Sequence, residues 1–149
     1  MKLNNRTQNS IVNIICSLYA LLFTYAATSK LLDFNTFRIQ LGQSPLLSAF
    51  TDWISIIIPV TEIIIAMMLL LPRLRFTGLF AAYSLMAMFT AYIYIILNYS
   101  SFIPCSCGGI LQKMTWNQHL IFNIGFIFLA VIAVLLMPMK SISNQRKRV

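Results

Sequence analysis

Four apolar stretches separated by more polar breaks dominate the pattern of hydrophobic and polar positions. They cover about residues 11–28, 53–71, 76–97 and 120–137. Each is close to the roughly 20 residues that a helix needs to cross the hydrocarbon core of a bilayer. None alternates strictly between polar and apolar positions, as a membrane β-strand would. The pattern therefore predicts an all-α membrane protein, a single domain over residues 1–149 with four transmembrane helices in an antiparallel bundle.

The breaks predict how the helices connect. Pro72 and its basic neighbours predict a tight connection between the second and third helices. Residues 30–52 are long for a loop, so we expect part of this segment to form an interfacial helix. Its apolar positions, expected to face lipid or the bundle, are Phe34, Phe37, Ile39 and Leu41. The small residues expected to allow close helix approach are Ala66, Gly78, Ala81, Ala82, Ala87, Ala91 and Gly125.

Composition and charge agree with a membrane location. The chain is 59% hydrophobic and 9% charged, whereas a soluble domain carries about 25% charged residues. A net charge of +8 would suit nucleic-acid binding, but the basic residues lie at the ends of the apolar stretches and few aromatic residues lie among them. With the N-terminus inside, eight basic residues are cytoplasmic and three are outside. The positive-inside rule thus predicts a multi-pass membrane protein with both termini, including the basic tail 138–149, in the cytoplasm.

A cleaved signal peptide is the alternative interpretation of the first stretch. It is disfavoured because the apolar run exceeds a typical signal core and helical spacing continues after it, through Leu31, Leu32, Phe34 and Phe37.

Two of the three cysteines, Cys105 and Cys107, lie one residue apart in the break before the fourth stretch. The predicted orientation places them outside, where disulfides persist. Such a small disulfide ring would be strained and would close almost no loop, which favours a redox role over a structural one. Two alternatives stay open: a pair of reduced thiols, or a Cu(I) or Zn(II) site with Met114 and His119. Cys16, inside the first stretch, is expected to be a packed apolar side chain.

Polar residues at the start of the fourth stretch form a second candidate group. Thr115 and Gln118 have the spacing of a capping box. His119 suits either a proton shuttle or an ordinary hydrogen-bonding residue at the membrane rim. Trp116 suits either an interfacial anchor or a residue that stacks on a cofactor. Asn123 follows His119 by one turn, so the two are expected to share a polar face under the cysteine segment.

Glu62 is the acidic residue that falls inside a predicted span. It lies roughly 13 Å along its helix, near mid-membrane. An intramembrane carboxylate is a functional-site hypothesis, here the binding of a carrier. The alternative is a neutral carboxyl hydrogen-bonded to a hydroxyl on another helix. Pro59 is expected to loosen the helix beside it, and Lys30 and Asp33 are expected to pair at the outer rim.

Several motifs together resemble a known family. They are "SKLLDFNTF" after the first stretch, "IPVTEIIIAMMLLLP" in the second, "RFTGLF" in the third, and "PCSCGG" followed by tryptophan, histidine and asparagine. Over roughly residues 15–137 the chain resembles the MauE branch of the DoxX-like membrane proteins. The resemblance implies a four-helix bundle similar in design to thiol-redox proteins of the DsbB and vitamin K epoxide reductase type. It also implies disulfide formation in the maturation of methylamine dehydrogenase, alongside a periplasmic thioredoxin-like partner.

These observations lead to one functional prediction with two alternatives. The chain is predicted to be a thiol–disulfide redox protein, with Cys105, Cys107 and His119 as catalytic residues and Glu62 and Trp116 as cofactor-binding residues. A membrane quinone is the candidate cofactor, although a single outer Cys-x-Cys pair departs from the DsbB pattern. The alternatives are a metal-handling membrane protein and a non-catalytic assembly subunit.

Overall fold

Helices account for nearly all of the residues that the structure, a computed structural model, describes: 5–44, 47–99 and 115–137. They are α1 (Asn5–Leu32), α2 (Phe34–Gly42), α3 (Thr51–Leu70), α4 (Arg75–Tyr99) and α5 (Trp116–Leu136), with a 3₁₀ turn at Ser48–Phe50. Four of these helices, α1, α3, α4 and α5, are long and apolar enough to cross a membrane. The predicted all-α fold with four spans is confirmed. α1 and α5 begin earlier than predicted, because polar residues at their starts are also helical.

The four long helices form a ring. α1 packs against α3 and α5, and α4 also packs against α3 and α5. The start of α1 and the α3–α4 connection meet at one end of the bundle. There the Arg75 guanidinium donates hydrogen bonds to Asn13 Oδ1 and, at 3.3 Å, to the Leu69 carbonyl. We call this the Arg75 end, and we call the opposite end, where α1 and α4 finish and α5 begins, the Trp116 end.

The closely packed core occupies the half of the bundle toward the Arg75 end. Its buried members are Val12, Ile15, Cys16, Tyr19, Ala20, Phe23, Ile65, Ala66, Leu69, Leu79, Ala82, Leu85, Met86, Ala130, Ala133 and Met137. Tyr19 joins α1 to α5: its hydroxyl donates to the Phe126 carbonyl at 2.5 Å, and its ring meets the Phe126 ring edge-on. Cys16 is 2% exposed within this core, which confirms its predicted packed state.

Small residues let the helices approach closely at one predicted position and not at another. A Cβ atom added to Gly78 would lie 3.2 Å from the Leu69 amide nitrogen and from the Met68 side chain. A side chain at position 78 would therefore press on α3, and its absence lets α4 pack closely here. The same expectation for Gly125 is wrong, since a Cβ atom there would meet nothing within 4 Å.

A short helix does form in the segment that follows α1, as predicted. α2 begins at Phe34, separated from the end of α1 by Asp33 alone, and packs against α3. Phe37 and Leu41 are buried under it, whereas Ile39 is exposed. On its outer side Arg38 Nε donates to Asp52 Oδ1 at 2.7 Å, an exposed ion pair that ties α2 to the start of α3. α2 therefore covers the Trp116 end of the bundle.

Candidate functional site

A cavity of about 360 Å³ occupies the other half of the bundle, between the core and the Trp116 end. All four long helices line it with apolar side chains such as Leu22, Ile58, Phe89 and Phe122. α2 contributes Phe37 and Leu41, and Leu47, in the turn after α2, lines the cavity as well. The polar or titratable side chains on the wall are Lys30, Glu62, Tyr92, Trp116, His119 and Asn123. A mostly apolar cavity with a few converging polar groups is the usual form of a small-molecule site.

A buried ion pair lies in the wall of this cavity. Lys30 Nζ donates to Glu62 Oε1 at 2.8 Å and to Oε2 at 3.1 Å. The Lys30 and Glu62 side chains are only 11% and 1% exposed. Lys30 Nζ also donates to the Ala26 carbonyl at 3.3 Å and lies 5.9 Å from the centre of the Phe37 ring. The ammonium group is thus surrounded by partners, and both carboxylate oxygens of Glu62 are used.

The pairing of Lys30 differs from the expectation of a rim pair with Asp33. Side chains on a helix are directed toward its N-terminus. From the last turn of α1, the Lys30 side chain therefore runs back into the bundle, alongside Ala26 and toward α3. Asp33 stays exposed in the break between α1 and α2. The alternative of a Glu62 carboxyl bonded only to hydroxyl groups is likewise replaced by the ion pair.

The start of α5 is fixed by the predicted capping box, which is confirmed. Thr115 Oγ1 accepts a hydrogen bond from the Gln118 amide at 3.4 Å, and Gln118 Oε1 accepts one from the Thr115 amide at 3.0 Å. From this start, Trp116, His119 and Asn123 follow at helical spacing and all line the cavity. The cap therefore sets the position at which these side chains reach the wall.

Asn123 is buried without a complete set of hydrogen bonds. It is 2% exposed, and its Nδ2 atom has no hydrogen-bond partner among the residues that the structure describes. A buried donor without an acceptor costs about 1–3 kcal/mol. An acceptor supplied from the cavity would remove that cost.

A hydrogen bond joins α4 to the segment directly after α2, the helix that covers the cavity at the Trp116 end. Tyr92 lines the cavity, and its hydroxyl donates to Ser44 Oγ at 2.8 Å. Ser44 is fully buried at the end of α2. This contact and the Arg38–Asp52 pair hold α2 in place over the Trp116 end.

The structure brings together three of the predicted site residues. Glu62 and Trp116, predicted to bind one cofactor, and His119, predicted to be catalytic, come from α3 and α5 and line one cavity. Cys105 and Cys107 lie outside the described residues, as does Met114 of the alternative metal site.

The pairing of Lys30 with Glu62 in the cavity wall was not predicted. The signal was present, because a lysine in the last turn of a long apolar helix is placed to reach a carboxylate on its neighbour. Across the described ranges, no group of three or more histidine, cysteine, aspartate or glutamate side chains is placed to hold a metal ion.

Comparison with known proteins identifies the family. A family model described as "Methylamine utilisation protein MauE" matches residues 8–136, from the first turn of α1 to the last residue of α5. Neither the curated proteins nor the solved structures include a match to this chain. The family model covers most of the chain and all four membrane-length helices. The chain therefore belongs to the MauE family, whose description links it to methylamine utilisation.

Proposed function

We propose that this protein is an integral membrane thiol–disulfide redox protein. Its Cys105–Cys107 pair would exchange electrons with an exported thioredoxin-like partner and so support disulfide formation or maturation of an exported protein. Membership of the MauE family and the closely spaced cysteine pair support this proposal. The pair would lie on the periplasmic side of the inner membrane, with both chain termini in the cytoplasm.

The observation that carries the proposal is the junction between the cysteine segment and the cavity. Residues 100–114 connect the end of α4 to the start of α5, and both lie at the Trp116 end. Cys105 follows Tyr99 by six residues, and Trp116 follows Cys107 by nine. Chain length alone therefore keeps Cys105 within about 20 Å of Tyr99 and Cys107 within about 30 Å of Trp116. The first turn after the segment already forms the cavity wall through Trp116 and His119.

The exchange balances without a further reagent. A thiolate of the partner attacks one sulfur of the Cys105–Cys107 disulfide, that bond breaks, and the other cysteine leaves as a thiolate. The second thiol of the partner then closes the disulfide of the partner and releases the first cysteine. Two electrons and two protons pass from the dithiol of the partner to the Cys105–Cys107 pair. In the opposite direction the same steps reduce the partner.

His119 is proposed to move a proton during this exchange. An imidazole exchanges protons near neutral pH, and His119 lies one turn into α5, directly after the cysteine segment. Glu62 and Trp116 are proposed as residues of the cofactor-binding wall. The proposed orientation rests on the bias in basic residues. Lys30 is buried within the bundle and is not exposed outside the membrane, so eight cytoplasmic basic residues compare with two on the outer side.

Trapping of a mixed disulfide tests this proposal. We expect either Cys105→Ser or Cys107→Ser to accumulate a covalent adduct with an exported protein that contains a thioredoxin-like dithiol, because the resolving thiol is missing. The adduct should disappear on reduction and should be absent from the double variant. Cys16→Ala is the matched control: this thiol is buried in the core, so wild-type behaviour is expected. Absence of a reducible adduct in both single variants would contradict the proposal.

A further inference from the structure

We propose that the cavity binds a neutral, lipid-soluble molecule whose carbonyl-type oxygen accepts a hydrogen bond from Asn123 Nδ2. This inference rests on the proposed cofactor-binding wall with Glu62 and Trp116 and names the class of molecule held there. It does not depend on the thiol exchange proposed above. It rests on the size of the cavity, its apolar lining, the neutralised charge in its wall and the unpaired donor.

Size and lining define the body of the ligand. The cavity holds about 360 Å³, whereas one water molecule occupies about 30 Å³ of liquid. Its walls are mostly apolar, and apolar cavities are poor sites for water. Two wall residues, Ile57 and Met88, are each more than half exposed, so this side of the cavity lies at the surface of the bundle. An apolar molecule dissolved in the bilayer therefore fits the lining better than a cluster of waters.

The charges in the wall indicate that the ligand is neutral. Lys30 Nζ is bonded to both oxygens of Glu62, so the pair offers no uncompensated charge. A charged ligand would have to be desolvated without a matching partner, which is strongly unfavourable in an apolar site.

Asn123 indicates which polar group the ligand carries. The unpaired atom is a donor, Nδ2, in a side chain that is 2% exposed and lines the cavity. A donor of this kind takes an acceptor such as a ketone, quinone or ester oxygen. Two sources share this chemistry: a small carbonyl compound, or the ester carbonyl of a membrane lipid.

Photolabelling with benzophenone, an apolar diaryl ketone, tests this inference. The full-length protein is placed in nanodiscs of diether phospholipid, which has no ester carbonyl, and is irradiated with increasing probe. We expect saturable labelling on buried cavity residues, with Met86 prominent because it is 4% exposed and benzophenone reacts readily with methionine side chains. Labelling that does not saturate, or that falls mainly on lipid-facing side chains such as Phe128, would overturn the proposal.

Two comparisons separate the hydrogen bond from simple partition into the membrane. Asn123→Leu should raise the probe concentration for half-maximal labelling about tenfold, which corresponds to the loss of about 1.4 kcal/mol of binding free energy. Asn98→Leu makes the same change at an exposed position of α4 and should leave labelling unchanged. Equal labelling of the wild type and Asn123→Leu would overturn the proposal.

A comparison of competitors needs no variant, so it remains decisive if Asn123→Leu fails to fold. Fluorenone and fluorene differ by one carbonyl oxygen. After correction for partition into the membrane, fluorenone should block labelling of the wild-type protein at about one tenth of the fluorene concentration needed for the same effect. Equal competition would contradict the acceptor site. A repeat in diester lipid identifies the source: weaker labelling there supports the site and indicates the lipid ester, and unchanged labelling supports it and indicates a separate carbonyl compound.

Discussion

Glu62→Gln should destabilise the bundle strongly, because it leaves the Lys30 charge buried. In the wild type, both Glu62 oxygens accept hydrogen bonds from Lys30 Nζ, at 2.8 and 3.1 Å. After the change the ammonium keeps the Ala26 carbonyl at 3.3 Å and the Phe37 ring at 5.9 Å, but no countercharge. Removing one partner of a buried pair costs about 3–5 kcal/mol. Since glutamine still supplies one acceptor, we expect the lower value, about 3 kcal/mol.

Cys16 provides the assay. It is 2% exposed in the core, so a thiol reagent reaches it only when the bundle opens. In a Cys105→Ser, Cys107→Ser background it is the one remaining cysteine. When opening is fast relative to labelling, the rate follows the population of the open state. A loss of about 3 kcal/mol should therefore raise the labelling rate of Cys16 on the order of a hundredfold.

The control and a second variant make the test specific. Asp52→Asn removes a carboxylate from the exposed Arg38 pair, where the cost should stay below about 1 kcal/mol and the rate should rise less than about fivefold. Adding Lys30→Met to Glu62→Gln removes the stranded charge and should bring the rate back toward that of the wild type. A Cys16 labelling rate for Glu62→Gln as low as that for Asp52→Asn would refute the reasoning. A double variant in which Cys16 is labelled as fast as in Glu62→Gln alone would refute it too.

Three further predictions concern helix packing and helix ends. Gly78→Ala should lose about 1–3 kcal/mol of stability, because the new methyl group meets α3 at 3.2 Å. Gly125→Ala has open space around the new methyl group and should lose none. The rate of Cys16 labelling measures both changes. Thr115→Ala should lose about 1 kcal/mol and speed hydrogen exchange in the first turn of α5, while amides near Leu136 keep their protection. Tyr19→Phe should lose about 1 kcal/mol, because it removes only the hydrogen bond to α5; a thermal melt in detergent showing no loss would contradict that role.

The features that depend on local sequence were predictable. A helix that crosses lipid must be apolar over about 20 residues, so four such stretches predict four spans almost without regard to tertiary structure. The capping box needs only Thr115 and Gln118 at the correct spacing, and the two residues form it. Cys16 is buried as predicted, because free cysteine is among the residue types most often packed in a core.

The features that depend on the relative depth of helices were not predictable. Lys30 and Glu62 are 32 residues apart, and their contact requires the last turn of α1 to lie beside the middle of α3. Hydrophobicity does not fix that offset to within one turn. The wrong expectation for Gly125 has the same origin, because the face a small residue turns toward a neighbour depends on the rotation of each helix.

Thiol trapping in intact cells tests the central claim, a redox-active Cys105–Cys107 pair on the outer face, most directly. Cells are treated with a membrane-impermeant maleimide, with or without prior mild reduction, and the labelled cysteines are identified by mass spectrometry. Cys16 serves as an internal control, since it is buried and should stay unlabelled in both samples. The account predicts that Cys105 and Cys107 gain label only after reduction. Full labelling of both without reduction, or no labelling after it, would contradict an oxidised outer pair.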